Sequence, residues 1–369
     1  MKIAYVTINV DTKIINGGVG NKIKNQVSIW ESMGHSVTLF ALTPGYVTFS
    51  LARQFTFNNS SKIFGLKFFI REISRSLKLV ELILAVRVYQ PDVIYFRFGL
   101  FTFPLQYLFR VAPTVLEVNS NDLDEYRSRG TFFYLLNRIT RDILFSHCAG
   151  WVSTSYELAN LEENRRHAKP VCVISNGIEL DKYEPLRPTG HQTPTLSLVG
   201  SPGMNWHGVD KLFPLAEKYP ELTINIIGYR RDDFEVSIPS NIHLHGYLER
   251  ENIKKILADT DVVFGTLALH RKKMEEASPL KVREALGYGI PVILAYKDTD
   301  LMDVESDCFL FLPNSENNIV ENTKLIRDFS FRTMGIRVDR ALISRRIDQR
   351  MKEEKRLDFF VAMIKFGRS

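Results

Sequence analysis

Short runs of consecutive apolar residues alternate along the chain with longer stretches in which apolar positions recur every three or four residues. KIAYVTI, SVTLFAL, DVIYFRF, TVLEVN, GWVSTS and VCVIS in the first half read as β-strands, as do TLSLVG, LTINIIG, IHLHG, DVVFGT and PVILAY in the second. Helical stretches lie between many of them, among them 21–33, 212–218, 250–258 and 282–288. Such alternation predicts a mostly parallel sheet covered by helices. It occurs twice, so the expected fold class is α/β with two Rossmann-like domains. The polar stretch 181–194, with Pro185, Pro188, Gly190 and Pro194, predicts the join. Residues 1–180 would form the first domain and 195–345 the second. The charged helical tail 346–369 would pack back toward the first. In open α/β sheets ligands bind beyond the carboxyl ends of the strands, so loops facing the cleft between the domains are the default site.

Composition narrows the class. A length of 369 residues suits two domains, and 45% hydrophobic with 24% charged residues is ordinary for a globular protein, excluding disordered, collagen-like and disulfide-scaffold chains. Cys148, Cys172 and Cys308 form no CxxC pair, which suits a reducing compartment and gives no zinc-ribbon signature. The opening MKIAYVTINV reads as a buried strand rather than a targeting segment, and FGLFTFPLQYLF is too short to span a bilayer, which needs roughly 20 residues. The expectation is a cytoplasmic protein, either free or peripheral on the inner face of the plasma membrane.

The net charge of +6 is concentrated between Tyr46 and Gln90, where seven bases face only Glu72 and Glu81. Lys67, Arg71, Arg75 and Lys78 would share one helix face. Leu66, Ile70, Ile73, Leu77, Val80 and Leu84 form a neighbouring apolar stripe. Segment 62–87 therefore either meets an anionic membrane surface or is an ordinary surface helix packing its stripe on a core. No zinc-finger spacing, RNP-like aromatic motif or basic tail points to nucleic acid.

The most informative segment is EEASPLKVREALGYGIPVI, 275–293. A helix beginning near Pro279 would offer free N–H groups and a positive dipole end to an anion. Glu276 stands just before that end and Glu284 inside the helix, so the pair could bracket a ligand with diphosphate at the helix start. Carboxylates accept strong hydrogen bonds from sugar hydroxyls, and Lys281 adds a cation. With Ser278, Pro279 and Leu280, this segment resembles the E-x7-E signature of retaining glycosyltransferases of the GT-B fold, family 4 (glycosyltransferase group 1). Ala277-Ser278-Pro279 replaces the common Gly-Phe-Gly, a variant similar to those of polysaccharide-assembling members.

The resemblance extends over nearly the whole chain. The loop NGGVG (Gly17, Gly18 and Gly20) falls at the family's acceptor side and near the donor phosphates. It lacks the full G-x-G-x-x-G spacing of a dinucleotide site. MGHSVTLF resembles the family's second strand, and VISNGIELDKY its entry into the second domain. LSLVGSPGMNWHGVDKL resembles the donor-phosphate loop, but Ser201, after Gly200, and His207 stand where relatives carry Arg and Lys. His207, when protonated, could supply part of that charge; alternatively Trp206 and His207 merely pack the loop. Asn119 falls where relatives often have a histidine near the reacting sugar, and Arg97 at a strand end could meet an acceptor phosphate. Histidines 35, 147, 243 and 245 form no metal-ligand pattern. The Asp-Thr-Asp of 259–261 reads as a structural turn, so no metal and no cofactor is expected.

The resemblance thus implies a retaining transferase that uses a nucleotide diphosphate sugar and a lipid-linked or cell-envelope glycan acceptor, as in lipopolysaccharide, capsule or exopolysaccharide assembly. By that resemblance Glu276 would orient the sugar and Glu284 the ribose. The other readings are a GT-B sugar epimerase or phosphorylase, and a non-catalytic nucleotide- or glycan-binding protein of the same fold.

Overall fold

A computed structural model describes residues 1–8, 18–45, 52–57, 66–187, 190 and 192–366; the side chains of Gly18 and of 66–69 lie outside the description. The chain divides into two compact units, Met1–Ile174 with Glu353–Ser369, and Ser175–Lys352. The segment 175–194 thus groups with the second unit.

The first unit carries seven parallel strands: β1 (Lys2–Ile8), β2 (Ser36–Pro44), β3 (Ala52–Phe57), β4 (Val93–Arg97), β5 (Thr114–Val118), β6 (Gly150–Ser153) and β7 (Val171–Val173). Their order is β3-β2-β1-β4-β5-β6-β7. The helices are α1 (Gly18–Ser32), α2 (Leu66–Tyr89), α3 (Asp122–Arg129) and α4 (Thr131–His147). Strand side chains alternate between faces. Val6, Phe40, Phe96 and Leu116 therefore meet Leu79, Leu82 and Val86 of α2 and Phe145 of α4. Ile3, Tyr5, Tyr95 and Val115 meet Ile23, Val27 and Trp30 of α1.

The second unit has β8 (Thr195–Val199), β9 (Thr223–Ile227), β10 (Ile242–Leu244), β11 (Val262–Phe264), β13 (Val292–Leu294) and β15 (Phe309–Phe311) in the order β10-β9-β8-β11-β13-β15. A separate two-strand pair joins β12 (Glu276–Ala277) to β14 (Lys297–Asp298). Around them lie α5 (Leu212–Lys218), α6 (Arg250–Ala258), α7 (Leu280–Gly287), α8 (Thr323–Thr333) and α9 (Arg340–Ile347). Leu212, Leu215, Ile326 and Phe329 cover one face of the sheet; Leu257, Val282, Leu286 and Ile343 cover the other.

The tail forms α10 (Gln349–Phe366), and from Glu353 onward it belongs to the first unit. There Leu357, Phe360 and Met363 pack with Trp30 and Tyr95. Glu353 accepts from Trp30 Nε1 at 2.8 Å and from Arg356, which donates to Tyr95 Oη at 3.2 Å.

One helix turns opposite to its ordinary reading. Leu79, Leu82, Ile83 and Val86 make the buried side of α2, whereas Ile70, Ile73, Leu77, Val80 and Leu84 face solvent. The stripe seen in the sequence is not the one that packs on the core. The expected basic face is also not a free one. Arg75 is buried and shares Glu72 with Arg71; Lys78 pairs with Glu81 at 2.7 Å. Lys62 and the Lys67 side chain lie outside the described residues.

Candidate functional site

A doubly wound sheet leaves a crevice where strand order reverses, outside the carboxyl ends of the two strands concerned. The reversal in the second unit falls between β8 and β11. A cavity of about 390 Å³ opens there, lined by Val199 at the end of β8, Gly200 and Ser201 after it, Thr266 after β11, and Pro279, Leu280 and Lys281 at the start of α7. Trp206, His207 and Lys272 close it.

Helix α7 starts here because Pro279 is extended (φ −66°, ψ 134°) and Leu280 is the first helical residue; Val282 and Arg283 N–H donate to Pro279 O, leaving the Leu280 and Lys281 N–H groups without intrahelical partners. The Lys281 ammonium donates to Val199 O at 2.9 Å. Burial pushes its pKa down to about 7, because a desolvated ammonium favours its neutral form. Lys272, from the 3-10 turn Leu269–Lys272, places its ammonium 5.0 Å from the Trp206 ring centre. It is a second cation at this cavity that the sequence reading did not single out.

The loop 200–208 is held tightly. Ser201 N–H donates to His207 Nδ1 at 3.1 Å, and Tyr229 Oη donates to Ser201 O at 2.7 Å. A nitrogen that accepts an N–H bond carries no proton, and burial, aided by Lys281, pushes the His207 pKa down to about 4. This corrects the expectation that His207 brings positive charge. It is a neutral imidazole whose Nε2–H is the available donor. Gly200 is required by packing: a Cβ there would lie 2.6 Å from Tyr229 and 2.9 Å from His207 Nδ1. Gly228, at φ +99°, would set a Cβ 2.1 Å from Gly200 O.

Three expected donor-site residues lie outside this lining. Glu276 is buried in β12. The Ser278 hydroxyl accepts from Asn176 N–H at 3.1 Å, which fixes the turn ahead of α7. Glu284, one face further along α7, accepts from Tyr183 Oη at 2.9 Å, and Arg250 stacks over the Tyr183 ring at 5.0 Å. Beneath α7, Arg283 is fully buried and donates twice to Asp298 at 2.8 Å and once to Asp300 at 2.8 Å; Asp300 also holds Lys352. These partners tie the helix start to β14. Asp261, the last acid of Asp-Thr-Asp, accepts from Thr195 N–H and Gly335 N–H, a structural clamp.

In the first unit the reversal falls between β1 and β4. A cavity of about 460 Å³ lies there, lined by Thr7 and Ile8 at the end of β1, Arg97 at the end of β4, Asn119 after β5, the bases Arg71, Arg75 and Arg129, and the acids Asp122 and Glu125. Asn119 Oδ1 accepts from Lys22 Nζ at 2.7 Å. Glu117 is buried, which by itself would raise its pKa, but Lys22 (3.1 Å), Arg97 (3.0 Å) and Arg356 overcome this and hold the carboxyl well below the usual range. Arg97 and Asn119 are thus brought together on one cavity. Gly18 and Gly20 lie in the first turn of α1; Gly17 lies outside the described residues. Among the described residues no group of three His, Cys, Asp or Glu side chains is placed to hold a metal ion, and no helix is long and apolar enough to cross a membrane.

Residues 16–182 match the sequence model of Glycosyltransferase Family 4. Among solved structures, the chain is similar to the apo lipopolysaccharide outer core galactosyltransferase WaaB (TM-score 0.68, 14% identity, 98% of this chain and 99% of that one). It is also similar to Anabaena HepE in complex with UDP (0.66, 14%, 98% and 100%) and to sucrose-phosphate synthase from Thermosynechococcus elongatus (0.65, 13%, 99% and 100%). No curated protein matches by sequence.

Proposed function

We infer that this chain, whose residues 16–182 match the Glycosyltransferase Family 4 model and whose fold is similar to that of solved glycosyltransferases, is itself a glycosyltransferase of the GT-B fold, that its second unit binds the diphosphate of a nucleotide sugar and that transfer proceeds with retention at the anomeric carbon. The observation that carries this reading is the cavity at the β8/β11 reversal, where Lys281, Lys272, the His207 Nε2–H and the α7 amides converge. Such donors stabilise charge that builds on a departing diphosphate. In the step proposed, the anomeric C–O bond to diphosphate breaks and the acceptor oxygen bonds on the same face. The acceptor proton passes to the leaving phosphate oxygen, so no protein base is required.

Glu276 orients the sugar, and Glu284, held by Tyr183, the nucleotide ribose; a nucleotide running from α7's start along its exposed side would reach it. Asn119 serves the acceptor side. The acceptor is a lipid-linked or cell-envelope glycan, a class in keeping with the lipopolysaccharide transferase among the structural neighbours. UDP is the first nucleotide to try, since HepE is known in complex with it. Titration calorimetry should show UDP binding, weakened about 10- to 100-fold by Lys281→Met, the loss of a charged hydrogen bond of about 1.5–3 kcal/mol. Affinity for neither UDP nor another nucleoside diphosphate would overturn the donor assignment.

A further inference from the structure

The turn that brings Lys272 to the second unit's cavity carries three consecutive bases, His270, Arg271 and Lys272. Of these, Lys272 lines the cavity. Arg271 is engaged elsewhere. Its Nη1 donates to Asp210 Oδ1 at 2.9 Å and to Asn205 O at 3.1 Å. Its Nη2 donates to Asp210 Oδ2 at 2.7 Å and to Glu316 Oε1, and its Nε to Glu316 Oε2 at 3.1 Å. A guanidinium has five N–H donors, so none is left for a ligand. One side chain thus ties the turn Leu269–Lys272 to the turn Asn205–His207, to Asp210 and to Glu316.

Asn314 braces the same turn. Its Oδ1 accepts from His270 N–H at 2.9 Å, and its Nδ2 donates to Met274 O at 2.9 Å. Between these two contacts the chain passes through Lys273 at φ +55°, a conformation that non-glycine residues seldom adopt. Strain of this kind persists where the surroundings over-determine it, and it gathers at ligand sites.

Charge shows what the clamp leaves over. Loop 200–208 contains no Lys or Arg, and its His207 is neutral. Asp210 and Glu316 act on Arg271 and also on buried Lys211, whose ammonium donates to Leu267 O at 3.0 Å and Ser315 O at 2.7 Å. Two acids offset two bases, so the clamp itself offers an anion no net charge. Lys272 is exposed and lies over the Trp206 ring, a weaker attraction than a charge-assisted hydrogen bond to phosphate.

We propose that Arg271 is a positioning residue for the diphosphate site: it fixes the turn that presents Lys272, and Lys272 supplies the charge that loop 200–208 lacks. This rests on the donor reading above and names the residues that serve it.

The test is a double-mutant cycle on UDP affinity, measured by titration calorimetry on the full chain. Arg271→Lys keeps the charge, but one ammonium cannot reach Asp210, Glu316 and Asn205 together. Lys272→Met and Arg271→Lys should each weaken UDP binding about tenfold, the scale of one charged hydrogen bond. The double variant should bind within about twofold of Lys272→Met, because residues that act through one another are not additive. Asp210→Asn opens the clamp from its other side and covers the case in which Arg271→Lys does not fold. Its loss, too, should vanish in the Lys272→Met background. A merely structural role would instead multiply the losses to about a hundredfold. Multiplied losses, or wild-type affinity in Lys272→Met or in both clamp variants, would overturn the proposal while leaving the donor reading in place. A wild-type chain that binds no nucleoside diphosphate would overturn both.

Discussion

At the scale of single residues, Lys281 sets a pH dependence whose sign follows from its surroundings. Its folded-state pKa of about 7 lies below the ordinary ammonium value, so the protonated amine costs stability below pH 7. That cost fades as the pH rises toward the unfolded value of about 10.4. A diphosphate at the cavity would reverse the preference and hold the proton. Nucleotide binding should therefore take up close to one proton at pH 8 and weaken by up to about tenfold per pH unit above 7, until the pKa of the complex is reached. Calorimetry in buffers of different ionisation enthalpy measures the uptake, and Lys281→Met should remove it. Binding of UDP with no proton uptake would show that the amine does not face the phosphates. The residue types were legible in the sequence, but this protonation was not. The identity of Lys281 says nothing of burial, and His207 is neutral only because the fold turns the Ser201 N–H onto Nδ1.

At the scale of elements, central strands were legible because parallel strands buried on both faces read as continuous apolar runs. β3 and β15 each form one edge of a sheet; ARQFTF mixes polar with apolar residues, and FLF, though apolar, is only three residues long. α2 was legible as a helix but not in its rotation, because apolar residues occupy both its sides and only packing decides which is inward. The clamp of Arg283 by Asp298 and Asp300 joins residues 15 and 17 apart through a turn that no local pattern announces. Loop 200–208 depends on β9 in the same non-local way. Gly228→Ala would combine an unfavourable positive φ with a 2.1 Å approach to Gly200 O. It should weaken UDP binding at least tenfold and destabilise the fold by more than about 1 kcal/mol, read by calorimetry and by urea unfolding. Wild-type affinity in this variant would mean that the loop shifts without consequence for the ligand.

At the scale of the whole chain, the first unit is completed by residues from the far end of the sequence. The charge at its centre ties the two stretches together. Glu353 is fully buried and neutralises Arg356, which also feels Glu117; Lys22 and Arg97 add two further cations around Glu117. Removing one carboxylate leaves three cations facing a single acid in a desolvated setting, where an uncompensated charge costs about 3–5 kcal/mol. Glu353→Gln keeps the size and an acceptor for Trp30 Nε1, so its cost should be electrostatic, about 3 kcal/mol. The chain's three tryptophans make the loss readable by unit. Trp30 and Trp151 are buried in the first unit, and Trp206 lines the second unit's cavity, the one proposed for the nucleotide. Urea unfolding followed by fluorescence should show the Trp30 and Trp151 signal moving to lower denaturant, while UDP titration in the absence of urea should still perturb Trp206 with unchanged affinity. An unshifted transition would mean that the remaining acids and solvent absorb the charge. A loss of UDP affinity without urea would mean that the donor cavity depends on the tail helix as well.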